Sequence, residues 1–447
     1  MIGFDPDLSL NEISNLYLLL ETLLLINFIN KLGKSFPFID IIPILAVALW
    51  GIVPASSYLA ENDLIASFTW MHMPIAYQSY FSITTPAIYL LIIGIYFPMN
   101  TESFNMNDWQ RKVSNVKANR IIGIYLIIFG IASSFLASIG PQSLAFILFL
   151  FSTSLFTGTY FLFFSNSTLK YLAIVLYFIF PVQNTIQQGM FGDLIYWSAF
   201  IFIIVATKYS FKFLSKSIIV AVGFSALLFI QALKIEYREA IWFGTGELAG
   251  LSAETVMSKV VQRYMDDPGA AFSEEKVIGV LERFNQGKHI AYCYENVPDY
   301  LPFENGRGIF IAGMASIIPR FFWPDKPTSG GKESYEKFTG RPLVGNTSMN
   351  ISPLGDGYVN FGKTGASIFM LFYGLFFNFI NFRLHKFAIR FPTIVFWFPL
   401  LWLYLVQVET DFVSVLNHLI KSGIFILFIH YLVMKITKTD ASGLIKR

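Results

Sequence analysis

Four stretches of this sequence hold side chains whose types and spacing could do chemistry. The first runs from Lys234 to Glu239 and puts Lys234 and Arg238 four residues apart, so that on a helix they share a face. Paired cations at that spacing suit an anionic lipid head or a diphosphate. The plainer reading is two long side chains reaching for the headgroups from a helix end. The second stretch, Glu282 to His289, offers a guanidinium (Arg283), two amides (Asn285, Gln286) and an imidazole within two helical turns. That mixture fits a hydroxyl-rich ligand carrying one anion, and it equally fits a solvated helix face. His289 on its own reads as a surface residue before it reads as a general base.

The third stretch is Gly306 to Pro327. Its apolar part, Gly308 to Ile318, has 11 residues, about 16 Å as a helix, too short for a hydrocarbon core of about 30 Å. Phe310, Met314, Ile317, Ile318 and Phe321 recur at three- and four-residue steps and form one stripe, so an interfacial or re-entrant helix is expected. It would deliver Arg320, Trp323 and Lys326 to the membrane surface, where a lipid-linked diphosphate must lie, on a turn stiffened by Pro319, Pro324 and Pro327. The fourth stretch, Ser352 to Gly365, sets Asp356 between Gly355 and Gly357, which leave backbone room around it. With Tyr358 and Asn360 alongside, that carboxylate could orient a sugar hydroxyl or take its proton. The alternative is a glycine-rich helix start with Asp356 as its N-cap.

These stretches sit among elements that composition largely dictates. Of 447 residues, 55% are hydrophobic and 14% charged, against about 25% charged in ordinary globular domains. Disorder, a coiled coil and a basic nucleic-acid binder are excluded. Apolar runs bounded by charge, Pro or Gly give eleven candidate spans near 12–31, 37–58, 75–98, 121–138, 142–164, 169–185, 190–206, 217–234, 362–382, 392–408 and 412–434. The expected fold is all-α: a polytopic membrane protein of about eleven spans with one large extracytoplasmic loop domain holding short amphipathic helices. Residues 1–234 supply the first eight spans, 235–360 the loop domain and 361–447 the last three.

Orientation follows from Lys and Arg in the short loops. One set of loops, with the C-terminal tail, carries 17 of them; the opposite short loops, near 59–74, 139–141, 186–189 and 409–411, carry none. The N-terminus is therefore expected outside and the C-terminus inside. Residues 1–12 hold Asp5, Asp7 and Glu12 and no Lys or Arg, unlike the basic start of a cleaved signal, so the first apolar run is expected to remain as a span. The 235–360 segment holds 28 of the chain's 61 charges and is too long to be a structureless connector; chemistry is expected there, above a rigid scaffold.

Other constellations are thin. One cysteine, Cys293, excludes an internal disulfide and any multi-cysteine metal site. No HExxH, P-loop or dinucleotide fingerprint appears, and no cofactor or metal is expected. Glu21, His418 and Lys421 fall at bilayer depth and are functional hypotheses by default; with Glu409 and Asp411 beside them, mutual structural pairing accounts for them as well as substrate contact does.

The long outer loop carrying Glu282-Arg283-Phe284-Asn285-Gln286-Gly287, then Ile318 through Pro327, then Gly355-Asp356-Gly357-Tyr358-Val359-Asn360-Phe361-Gly362 leading into a span, resembles the oligosaccharide repeat-unit polymerases, the Wzy-type O-antigen polymerase family. The likeness is sharpest from Lys234 to Gly365 and elsewhere is one of pattern; relatives often carry Glu where Asp356 stands. The resemblance implies a metal-independent glycosyltransferase of the bacterial inner membrane. It would move a growing chain from undecaprenyl diphosphate to the next lipid-linked repeat at the outer face. Arg238, Arg283 and Arg320 become the diphosphate-binding candidates, with Lys326, Asn285, Gln286, Trp323 and Tyr358 around the substrate. Asp356, or else Glu239, becomes the base. Implied partners are the undecaprenyl-diphosphate-linked oligosaccharides, membrane lipids and a chain-length regulator, with no nucleic acid. Two other readings stay open: an O-antigen ligase or other lipid-linked glycosyltransferase, which His289 would serve, and a flippase or transporter of lipid-linked glycans. Transporters tend to pair broken helices in matching halves, whereas this chain has a single lopsided loop.

Overall fold

The computed structural model describes residues 8–62, 72–99, 104–116, 118–141, 144–165, 167–188, 191–209, 211–318, 321–327, 331–343 and 348–436. Among them the regular elements are all helical, and the one β-bridge joins Leu32 to Ser35. The chain begins with α1 (Leu10–Lys31), started by a capping box between Ser9 and Glu12. Next come α2 (Ile41–Val47), continued through a π-helical turn into α3 (Val53–Asn62), and α4 (Tyr77–Ile95). The amphipathic α5 (Met106–Ser114) leads to α6 (Asn119–Ile139) and to α7 (Ala145–Ser152) and α8 (Ser154–Phe163), one apolar span broken at Thr153. Then follow α9 (Leu169–Gln188), α10 (Gly192–Ala206) and α11 (Phe213–Ile241). Five short helices make up the polar region: α12 (Ala253–Asp266), α13 (Glu274–Phe284), α14 (Gly287–Asn296), α15 (Arg307–Ile317) and α16 (Lys332–Thr339). The chain closes with α17 (Ser352–Arg390), α18 (Phe398–Trp402) and α19 (Phe412–Ile436). Nine helices among the described residues are long and apolar enough to cross a membrane; this is an all-α polytopic membrane protein.

The bundle has two distinct ends. At one, Lys208 donates to Phe163 O at 2.9 Å, Lys216 to Leu32 O, Gln110 to Thr207 O and Trp109 to Pro392 O at 2.8 Å. At the other, Asn285 donates to Ser57 at 2.8 Å, Tyr237 to Ile186 O, Tyr358 to Val297 O at 2.7 Å and Phe412 N to Asp356 at 2.8 Å. The lysine- and arginine-bearing turns thus gather at the end opposite the polar region. α4 and α17 form the closest pairing: a Cβ on Gly94 would lie 2.5 Å from Leu371 O, and one on Gly374 2.5 Å from Leu91 O. Only glycine lets two helix backbones approach so closely.

Two of the eleven expected spans differ from long helices. The 190–206 stretch is α10, whose 15 residues reach about 22 Å. The 392–408 stretch is a 3-10 turn (Pro392–Trp397), then α18, then irregular backbone, because Pro392 and Pro399 cannot continue an α-helical ladder. The Asp356–Phe412 bond puts the starts of α17 and α19 side by side, so the chain must return along the bundle between them. Pro392 to Leu403 is buried throughout, and irregular backbone at membrane depth is tolerated where protein surrounds it. Its carbonyls find donors on other helices. Trp109 reaches Pro392 O at 2.8 Å, Thr157 reaches Phe396 O at 3.3 Å, and His418 Nε2 reaches Leu400 O at 2.8 Å.

α17 is two helices in one run, broken at Gly362, whose φ of 68° and ψ of −170° are open only to glycine. The membrane helix begins there, as the sequence predicts. The glycine-rich segment around Asp356 forms its own helical turn from Ser352 instead of a cap, so Asp356 is not the N-cap of α17.

Candidate functional site

α11 continues past the expected boundary at 234 to Ile241 and carries Lys234 and Arg238 one turn apart on one face, both half-buried. The opposite side of that turn holds α12 and α13 in place. Glu236 accepts from Tyr264 at 2.7 Å and pairs with Lys276 at 3.1 Å and Arg263 at 3.3 Å. With α13 clamped in this way, Arg283 at its far end enters the field of both α11 cations. Burial lowers the Arg283 pKa, and Glu282 partly opposes that. Burial raises Glu282, with Lys288 and Arg283 acting against it. Among the described residues neither Lys234 nor Arg283 makes a side-chain hydrogen bond or ion pair. The Arg238 guanidinium lies 3.7 Å over the Trp242 ring, a cation–π contact that holds its plane.

The anionic side of the site comes from the turn 409–411, before α19. Glu409 lies in the field of Lys234; its Oε1 accepts from Tyr196 at 3.2 Å, and its buried Oε2 has no hydrogen-bond partner among the described residues. Two residues on, Asp411 Oδ1 accepts from Ser414 N at 2.7 Å and caps α19. Asp356 accepts from Phe412 N at 2.8 Å and feels the Asp411 charge. Both carboxylates therefore sit on the positive end of the α19 dipole. One short turn thus joins three cations, Lys234, Arg238 and Arg283, to a carboxylate pair, Asp356 and Asp411. Such a set can hold a polyanion at one side and accept a proton at the other. Among the described residues no three of His, Cys, Asp and Glu come together as metal ligands.

The remaining sequence candidates separate. Asn285 is buried: it donates to Ser57 at 2.8 Å and Met73 Sδ at 3.3 Å, and accepts from Lys288 N at 3.0 Å. Gln286 donates to Arg283 O at 3.2 Å. Both amides tie down the turn between α13 and α14, and Asn285, buried with both ends of its amide bonded, is not offered to a ligand. Tyr358 is buried on Val297 O. Lys326 donates to Ala315 O at 2.6 Å and Ile318 O at 2.8 Å, closing the C-terminus of α15, with Trp323 half-exposed nearby in sequence. Arg320 lies outside the described residues. Glu239 is exposed and stands beside Gly246. His289 is hydrogen-bonded to Tyr335 at 3.1 Å and held down to about 4 by burial, with Lys288 adding to it. His418 serves the broken segment, Lys421 lies 4.7 Å over Phe146, and one oxygen of the half-buried Glu21 is without a partner. The sequence marked Glu409 and Asp411 as acidic neighbours of the bilayer-depth residues, with structural pairing and substrate contact left open, but gave them no site role; their signal was two carboxylates in a lysine-free turn between apolar stretches.

α15 packs on α19, with Ala312, Ala315 and Ser316 turned inward and Phe310, Met314 and Ile317 outward. The expected stripe is the exposed face of this helix.

No curated protein and no solved structure matches the chain. Residues 69–438 match the family model described as Domain of unknown function (DUF8712), and the chain belongs to that family.

Proposed function

We propose that this protein polymerises lipid-linked oligosaccharide repeat units of a surface polysaccharide at the outer face of a bacterial inner membrane. In this reading the chain crosses eleven times, nine times as long helices and twice through α10 and the 392–408 segment, and the lysine- and arginine-rich turns favour an outside N-terminus and a cytoplasmic C-terminus. The observation that carries the reading is the convergence of Lys234, Arg238 and Arg283 on one another, next to the Asp356–Asp411 pair. Cations gathered at one end of a membrane bundle, with two of them unpaired among the described residues, suit a diphosphate whose lipid tail stays in the bilayer.

In the proposed reaction the acceptor hydroxyl of one lipid-linked repeat attacks the anomeric carbon of the growing chain. The bond from that carbon to the diphosphate oxygen breaks, and the hydroxyl proton passes to a carboxylate. Arg238 and Arg283 oppose the charge that develops on the leaving diphosphate, an electrostatic contribution often large in such sites. Asp356, beside Asp411, suits the base role better than the solvent-exposed Glu239. The partners are undecaprenyl-diphosphate-linked oligosaccharides, membrane lipids and a chain-length regulator at the flanks.

Deleting the gene and running the surface glycan on a gel tests the proposal. Loss of a polymerase leaves a single repeat attached. Loss of a ligase leaves long polymer on its carrier, and loss of a flippase leaves neither outside; either outcome overturns the reading. In complemented cells Arg283→Ala is expected to reproduce the single-repeat pattern at normal protein level.

A further inference from the structure

α11 is the least buried of the nine membrane-length helices, with 17% of its window inside the protein. It is tied at both ends. Near its start Lys216 donates to Leu32 O, and near its finish Tyr237 donates to Ile186 O while α12 and α13 pack on it. Between the ties, Ala221 to Ala226 are exposed in succession. Six residues exceed one and a half turns, so every side of the helix is uncovered there, including the side that faces the bundle.

That side can be traced by spacing. Lys216, Val220, Leu227, Gln231, Lys234 and Arg238 fall on one stripe at helical steps, and Lys216 and Gln231 on it are buried. Gly223 falls on the same stripe, yet a Cβ added there would meet nothing within 4 Å. The helix therefore stands off from its neighbours at mid-depth and leaves a gap below the cations. Eleven residues separate Gly223 from Lys234, about 16 Å along the axis. In the hydrocarbon region an uncovered helix flank must take its dispersion contacts from whatever packs on it, and a chain of methylene or isoprene units is what the surroundings supply.

We infer that the gap holds a lipid with an anionic phosphate or diphosphate head, its head against Lys234, Arg238 and Arg283 and its chain running past Leu227 to Gly223. This rests on the reading of the three cations as a phosphate site and adds where the tail lies. An ordinary zwitterionic lipid has no reason to prefer this gap over any other exposed helix face, whereas an anionic head gains the field of three cations, which outnumber the two opposing carboxylates, Glu409 beside Lys234 and Glu282 beside Arg283.

The test uses the full chain in phosphatidylcholine nanodiscs containing a minor fraction of either undecaprenyl diphosphate or phosphatidylglycerol. A benzophenone side chain is placed at Gly223, at Val222, which is exposed and faces away from the stripe, or at Ile128 on α6, also exposed. The probe at position 223 is expected to capture the anionic lipid about tenfold above its mole fraction, an excess worth about 1.4 kcal/mol. Lys234→Ala combined with Arg283→Ala should remove that excess, and positions 222 and 128 should show none. The two lipid arms tell which head is preferred. Capture at 223 of phosphatidylcholine in bulk proportion, or a crosslink from 223 to the protein itself, overturns the assignment. Neither arm needs glycan or turnover. Anionic capture alongside normal polymer in Arg283→Ala cells would keep the gap and sink the polymerase reading; the reverse would sink the gap alone.

Discussion

Arg283 and Asn285 stand two residues apart and have opposite duties. Asn285 is an internal brace between α3 and the start of α14, so Asn285→Ala should remove the hydrogen bonds to Ser57 and to the Lys288 amide and cost about 1–3 kcal/mol. The measurement is thermal unfolding in detergent. Arg283→Ala removes a partly desolvated cation that has no ion pair among the described residues, and it should leave the melting temperature nearly unchanged while polymer formation fails. A melting loss for Arg283→Ala as large as that for Asn285→Ala would mean the arginine is structural. His289 gives a pH-dependent counterpart. Its folded value of about 4 lies below the unfolded value of about 6.5, so the unfolded chain takes up the proton first. Stability from this group is intact above about pH 6.5 and declines as pH falls toward 4. His289→Phe should therefore flatten part of the fall in melting temperature between pH 6.5 and 4. At this scale the sequence was legible where spacing alone decides: Lys234 and Arg238, four apart, do share a face. The approach of Arg283 was not, because it depends on Lys276 gripping Glu236 across two helices. Asn285 read as a ligand group because an amide in a polar loop looks the same whether it turns inward or outward.

Among the elements, helices made of long apolar runs were readable to within a few residues, and so was the start of the α17 membrane helix at Gly362. What hydropathy does not encode is the backbone excursion that separates Asp356 from the rest of α17. Gly362→Ala should cost about 1–3 kcal/mol, since φ of 68° with ψ of −170° is costly for any residue with a Cβ. Gly313→Ala, on the open side of α15, meets nothing within 4 Å and should be neutral or stabilising by up to about 1 kcal/mol. Melting curves of the two variants, taken side by side, check the pair; equal effects would refute the assigned strain. The glycine contact between α4 and α17 gives a harsher case. Gly374→Leu would drive a side chain into the α4 backbone, where Leu91 O lies 2.5 Å from even a Cβ, and folded protein should be lost on size-exclusion chromatography.

For the molecule as a whole, the lysine and arginine distribution foretold which turns group at which end, and the hydrogen bonds across the bundle group them the same way. The proposed orientation makes a direct prediction. Cysteines placed at Tyr300 in the polar region and at Lys386 near the end of α17 should differ in their reaction with a membrane-impermeant maleimide in intact spheroplasts. The first should label and the second should not, and the opposite result would invert the topology and remove the outer-face chemistry.

The crossing formed by Pro392 to Asp411 has a bearing on how the chain is made. Its carbonyls at Pro392, Phe396 and Leu400 depend on Trp109, Thr157 and His418, and the last of these lies on α19, which follows the segment in the chain and so leaves the ribosome after it. Until α19 has been synthesised, the segment before it has no settled home in lipid. Biogenesis thus cannot finish one helix at a time: this segment and α19 must insert together, and a ribosome stalled near residue 411 would leave a nascent protein exposed to membrane proteases.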